Sequence, residues 1–442
     1  MNFQKKIKYN LRSESHLPKS VLYTFVVISF MALGFVIKTG PLVYADTRAY
    51  FGMWPYVSAG YPFFLRSLHY FFGSNYTLAA VVIQYILVLT SIFCFLKFFL
   101  TRFSFKKYQL LLLLVLLCYP VFDNNVLAIT NVTTEGVCYA LFLQIIHVCY
   151  VLFVLRKLKY YPLLLILTVL LITIRGQFVF LTPLFLLIET LLLYKEKKFS
   201  PKIVVCIILI PVCTFAIDNV YHKVIQKQYF STPFTWTALA SAVMFVSDEA
   251  DEQYLTTTEQ KEVFNTIHKH FRQKGIGYKD HKYHEEPIDY NYYFFHYEFP
   301  TICNQTVQRE VVKYYEAKEI PTIQSYLEAE RINKQLFLHL LPVNFSKWFS
   351  LVFQSFKTGL GGVFIALIYG VLIILFVYSF INTANKQLLF YAFLLLLIVM
   401  NRVVVSISVH GLTRYFFYTS WVPLLLVFIG INLFEKKKPQ IM

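Results

Sequence analysis

The sequence predicts an all-α polytopic membrane protein: about ten transmembrane helices, interfacial amphipathic helices in the first external loop, and a mainly helical external domain. Three observations carry this. Of 442 residues, 57% are hydrophobic and only 15% charged, where a soluble domain averages about 25% charged. The mean hydropathy is +0.56. Long apolar runs recur along the chain, and the Lys/Arg clusters between them sort to one side, as cytoplasmic loops do. The formal charge of +17 therefore reads as basic loops facing anionic lipid and not as a nucleic-acid surface. Of seven cysteines, only Cys303 lies in a clearly polar stretch, so no disulfide framework is implied.

The elements follow in order. Residues 1–20 form a basic tail with Lys5, Lys6, Lys8, Arg12 and Lys19. The run from Val21 to Lys38 suits a hydrocarbon core that needs ~20 residues, and it lacks a small-residue cleavage site, so it is expected to stay as a helix. Spans are then expected over 78–99, 110–121, 134–155, 161–174, 178–194 and 203–220. Basic clusters at Arg102 to Lys107, at Arg156 to Lys159 and at Lys195 to Lys202 mark the cytoplasmic turns. Residues 221–357 are polar and read as an external domain. Three more spans are expected over 363–381, 388–405 and 416–434, closing on a basic tail. The chain thus divides into an N-terminal membrane core (1–220) holding the first external loop (40–76), the 221–357 domain, and C-terminal membrane helices (358–442).

The first external loop is too polar to span and too aromatic for an ordinary linker. It places Asp46 beside Thr47 and Arg48, then Gly60, Tyr61 and Pro62. Proline fixes its own φ and restricts its predecessor, so a helix is expected to open there. At 3.6 residues per turn, Arg66, His69 and Tyr70 share one face, and Phe64, Leu68, Phe71 and Phe72 the other. This is the pattern of a helix lying in a bilayer interface.

Four pieces, in order, resemble the glycosyltransferase C superfamily, in particular relatives of protein O-mannosyltransferases and of lipid A aminoarabinose transferase. They are Asp46 in Tyr44-Ala45-Asp46-Thr47 with Tyr50 following, Thr134-Glu135-Gly136 opening a span, Arg175 closing one, and Arg414-Tyr415 before Pro423. Gly176 departs from the Arg-Pro pair that relatives carry after such an arginine. The oligosaccharyltransferase signature WWDxG is absent, and no Asp-x-Asp pair stands beside Asp46. The resemblance covers most of the membrane part and little of 221–357.

The resemblance implies transfer of a sugar from a polyprenyl-phosphate donor to a glycan, lipid or protein acceptor hydroxyl, with inversion. It further implies a site on the non-cytoplasmic face of a bacterial inner membrane. Such chemistry needs a base for the hydroxyl proton and cations for the leaving phosphate. Asp46 is the candidate base, with capping or a turn as its plain alternative. Glu135 is the candidate second carboxylate. Arg48, Arg175 and Arg414 are candidate phosphate ligands, because guanidinium forks match phosphate oxygens; snorkelling at span ends is their alternative. Tyr50, Tyr61, Arg66, His69, His410 and Tyr415 are candidate substrate contacts. No cofactor is required, and a divalent metal finds no support. His268, His270, His281, His284 and His296 crowd the 221–357 region but read better as a solvated polar surface than as a metal site. An O-antigen-type polymerase or ligase competes, resting on arginines and a histidine of a large external loop. A lipid-linked sugar transporter would show internal repeats and midplane charges; no repeat is visible.

Overall fold

The computed structural model describes residues 17–103, 105–197, 200–281, 288–408 and 411–435. Among them the chain is helical with no strand, only an isolated parallel bridge between Leu42 and Asn131. The helices are α1 (Lys19–Thr39), α2 (Ala45–Phe51), α3 (Gly60–Phe72), α4 (Tyr76–Cys94), α5 (Lys107–Cys118) and α6 (Glu135–Phe153). Next come α7 (Tyr161–Ile174), α8 (Leu181–Glu196), α9 (Pro201–Gln226), α10 (Thr235–Val246), α11 (Thr258–Lys274) and α12 (Ile288–Phe299). The chain ends with α13 (Arg309–Glu316), α14 (Thr322–Leu360), α15 (Val363–Thr383), α16 (Lys386–Ile407) and α17 (Val422–Glu435).

Eight helical stretches among the described residues are long and apolar enough to cross a membrane. Seven coincide with expected spans. The eighth is α14, which the sequence reading left outside the bilayer. The other three expected spans fall on shorter apolar helices, 107–122, 158–174 and 417–432. The protein is an α-helical membrane protein.

Burial ranks the helices. On α6, 15 of 19 residues are buried, from Glu135 to Phe153, as expected of a helix apolar all round at the centre of a bundle. It packs between α4 and α7. On α15 only Phe380 is buried, so that helix faces outward along nearly its whole length. A second apolar core, from Ala240 to Leu351, is built by α10 to α14. Its edges differ from those expected: α9 runs on to Gln226, and α14 passes unbroken through 357 into the membrane part.

Two details correct the sequence reading. On α3 the buried residues are Tyr61, Pro62, Leu65 and Leu68, while Phe63, Tyr70, Phe71 and Phe72 are exposed. Lipid is as apolar as a protein core, so aromatic character does not tell which face packs inward. Cys303, from a stretch that read as polar, is wholly buried, and burial pushes its thiol up to about 12.

Candidate functional site

The first loop is fixed to the turn before α6 by backbone. Leu42 N–H donates to Thr130 C=O (2.9 Å) and Val132 N–H to Leu42 C=O (3.0 Å). The Thr47 hydroxyl then donates to Val132 C=O (2.7 Å) and accepts from Tyr44 N–H (3.1 Å), capping α2. These bonds hold α2 against the start of α6, where Glu135 is the first residue.

Gly60 fixes the other side. A Cβ there would lie 2.7 Å from Ile174 Cγ1 and 2.9 Å from the Ile174 amide nitrogen. Glycine is what lets α3 close on the end of α7, one residue before Arg175. At Gly176 a Cβ would meet nothing within 4 Å.

Four charges from four distant segments meet there. Arg175 Nη1 lies 2.8 Å from Glu135 Oε1 and donates to the Thr134 hydroxyl at 3.2 Å and to Tyr418 OH at 3.4 Å. Arg414 reaches Asp46 Oδ2 at 3.4 Å and Glu135 Oε1 at 3.9 Å. The Arg414 Nε–H is buried without a hydrogen-bond acceptor. Glu135 is 5% exposed and Asp46 50%, so one carboxylate is sealed by arginines and the other faces open space.

The Arg414 loop is itself anchored. Gln177 Oε1 accepts from Arg175 Nε at 2.7 Å. Gln177 Nε2 donates to Tyr415 C=O at 3.2 Å and to Asn401 Oδ1 at 3.3 Å, and Asn401 Nδ2 donates to the same carbonyl at 2.9 Å. The Tyr415 ring lies under both guanidiniums, 4.5 Å from Arg175 and 5.3 Å from Arg414.

These residues line a cavity of about 1180 Å³, at the large end for a small-molecule site. Its polar end holds Asp46, Tyr50, Glu135, Arg175, Arg414 and Tyr415. Apolar side chains of three helices line it as well: Ile172 and Ile174 of α7, Pro211 and Phe215 of α9, Val404 and Ile407 of α16. Pro211 removes a ladder hydrogen bond inside α9, a common cause of a bend. Neutral polar groups, including Asn124, Asn125, Ser231, Thr232 and Asn304, complete the lining. Asp218 lines it too, but its carboxylate accepts from Thr232 N–H (2.7 Å) and hydroxyl (2.9 Å). The Tyr50 phenol is pushed well up, first by burial and then by Asp46 and Glu135, so it remains protonated and able to donate.

The remaining sequence candidates fall elsewhere. Arg48 is exposed on α2 and does not line the cavity. In this cluster two arginines face two carboxylates. Arg66 stacks on Phe51 at 4.2 Å, and His69 packs edge-on against Phe51 and Tyr76. Both tie α3 to its neighbours outside the cavity. Tyr61 is buried, donates to Gln84 Oε1 at 3.1 Å and packs on Tyr50. His410 and His284 lie outside the described residues. His268 and His281 are buried, beside Ser247 and Asn291, and no group of three metal-ligating side chains occurs among the described residues.

Thr134, Gln177, Asn401 and Tyr418 were missed as parts of the site. Asn401 carried a signal, being a polar side chain inside the apolar run of α16. Comparison with family models, with curated proteins and with solved structures finds no match.

Proposed function

We propose that the protein is an inverting glycosyltransferase that moves a sugar from a polyprenyl-phosphate donor to an acceptor hydroxyl. The observation that carries this reading is the mixed lining of the cavity: Asp46, Glu135, Arg175 and Arg414 together with apolar side chains of α7, α9 and α16. An amphiphile with an anionic head and a long hydrocarbon tail fits that lining. Ten spans with both termini inside would set the polar end on the non-cytoplasmic face, where nucleotide sugars are scarce and a lipid-linked donor serves instead.

In this reading the acceptor oxygen attacks C1 of the sugar as its proton passes to Asp46. The bond from C1 to the phosphate oxygen breaks, and the electron pair leaves with the phosphate. Arg414, whose contacts are long and whose Nε–H is unbonded, meets the growing phosphate charge. Arg175 assists from its place against Glu135. Glu135 holds both arginines in register and does not itself exchange a proton. Tyr415 orients the guanidiniums from below. The resemblance of the four short motifs to the glycosyltransferase C superfamily points the same way, and a bacterial plasma membrane is the setting it implies.

The test is mass spectrometry of glycolipids and glycans from a strain lacking the protein, restored with wild type or with Asp46→Asn. The expected result is one missing sugar residue that only wild type restores. An unchanged glycan profile would remove the proposal.

A further inference from the structure

The 39-residue helix α14 is tied at both ends to one face of the membrane part. Near its start Tyr326 packs on Tyr56 of the first loop, ring centroids 5.7 Å apart. Glu330 accepts from Trp236 N–H at 2.7 Å and from Thr237 N–H at 3.0 Å. Tyr56 and Thr235 line the cavity that holds Asp46 and Arg175. Near the other end, a Cβ on Gly359 would lie 3.3 Å from Arg402 Cδ and from the Phe416 ring. Those two residues are chain neighbours of Asn401 and Tyr415, which anchor the Arg175 cluster. Tyr326 and Gly359 are 33 positions apart, about 50 Å at helical rise, against a hydrocarbon core of about 30 Å. A crossing helix of that length would put its ends on opposite faces.

The second half of α14 is two-sided. Leu338, Phe345, Phe349 and Phe353, spaced seven, four and four residues apart, share one side and are 44–52% exposed. The three rings stack in a row, 5.8 Å and 6.1 Å between centroids. Leu340, Asn344, Leu351, Gln354 and Ser355 are buried on the other side. There Leu340 and Leu351 join the second core, and Asn344 Nδ2 donates to Asp251 Oδ2 at 2.9 Å. The stripe thus points away from the core built by α10 to α14. Before Leu338 the same side carries Arg331 and Lys334, so the apolar character begins only in this half.

The neighbouring helix says what covers the stripe. Phe353 borders one groove with Val363, Leu367 and Gly370 of α15, a helix on which only Phe380 is buried. The stripe therefore runs on into the surface that α15 turns to lipid. No acidic residue follows Glu330 on α14, so anionic headgroups would meet no like charge there.

We infer that the second half of α14 is a membrane-docking surface: it lies along the bilayer face nearest Asp46 and sinks Leu338, Phe345, Phe349 and Phe353 into that leaflet. It thereby holds the second core down on the membrane beside the larger cavity. The inference is independent of the proposed transferase reaction, since it uses no step of it.

Electron paramagnetic resonance of the full-length protein in vesicles of phosphatidylcholine and phosphatidylglycerol tests this. A keto amino acid is encoded in turn at Phe345, Phe349 and Phe353 and given a nitroxide through its ketone, which leaves the seven cysteines untouched. Oxygen, which collects in the bilayer, and a nickel chelate, which stays in water, then report depth. All three labels should favour oxygen and sit at one depth, about 5–10 Å into the headgroup–acyl boundary. A label at Ile374, midway along α15, should lie deeper. A crossing helix would separate the labels at Phe345 and Phe353 by about 12 Å in depth. A stripe facing water would favour the nickel chelate. A second copy seated on it would exclude both reagents and broaden the spectra by spin–spin coupling. Any of these three results would overturn the inference.

Discussion

The Arg156 cluster and the Arg175 cluster hold the same formal charges at opposite ends of α6 and α7. In the first, Arg156 meets Glu189 at 2.8 Å and Glu196 at 3.0 Å, and Lys386 meets Glu196 at 2.6 Å. Tyr161 OH also donates to Glu189. In the second, only the Arg175–Glu135 contact is as short; Arg414 stands 3.4 Å from Asp46 and 3.9 Å from Glu135. Glu135 and Arg156 are 21 positions apart in the chain, or about 30 Å at helical rise, which matches a bilayer core. The two clusters thus bracket the membrane-embedded part. One closes on itself where α6, α8 and α16 meet. The other faces a large cavity with a half-exposed carboxylate and an unbonded guanidinium N–H. Composition cannot separate a clamp from a site, but the length of the contacts and the space beside them can.

Five substitutions sharpen that contrast. Asp46→Asn keeps the shape of the open cluster and removes its base. Transfer should fall on the order of 10²–10⁴-fold with folding intact, as read by sugar transfer in reconstituted membranes and by thermal unfolding. Near-wild-type transfer would return Asp46 to a turn residue.

Arg156→Ala acts on the closed cluster and leaves Glu189, 2% exposed, without its cation. The expected cost is about 3–5 kcal/mol, seen as a lower unfolding temperature, with donor binding unchanged in the protein that remains folded. Unaltered stability would show that the clamp contributes nothing.

Gly60→Ala should separate the first loop from α7. Its Cβ would meet Ile174 backbone, an overpacking strain of about 1–3 kcal/mol, and Asp46 should drift from the arginines with loss of activity. Gly176→Ala, in open space, is the matched control and should behave as wild type. Equal behaviour of the two variants would contradict the close-approach argument.

Arg48→Ala gives the smallest effect. It is exposed and outside the cavity, so stability should stay within about 0.5 kcal/mol and transfer should be unchanged. Loss of transfer in this variant would bring Arg48 back into the phosphate site.

Much of this was legible in the sequence. The apolar runs placed the helices they foresaw to within about six residues, α14 excepted, because a bilayer demands continuous apolar length. Asp46, Glu135, Arg175 and Arg414 were legible as polar groups at run ends. The face of α3 was not, since lipid and protein interior reward the same side chains. Arg48 was misplaced although its helix phase was readable: residues two apart point away from each other on a helix, whereas Asp46, Ala49 and Tyr50 share the face that lines the cavity. The Leu42–Asn131 bridge had no signal at all, because a backbone pairing between loops leaves no mark on side-chain pattern.

The most direct measurement is the affinity of purified protein for a polyprenyl phosphate in detergent, comparing wild type, Arg414→Ala and Arg156→Ala. Charge-assisted contacts to a phosphate are each worth about 1.5–3 kcal/mol. Arg414→Ala should therefore bind about ten- to a hundred-fold more weakly, while folded Arg156→Ala binds as wild type does. Equal affinity in all three, or a matching loss in both variants, would contradict the assignment of the open cluster as a lipid-phosphate site.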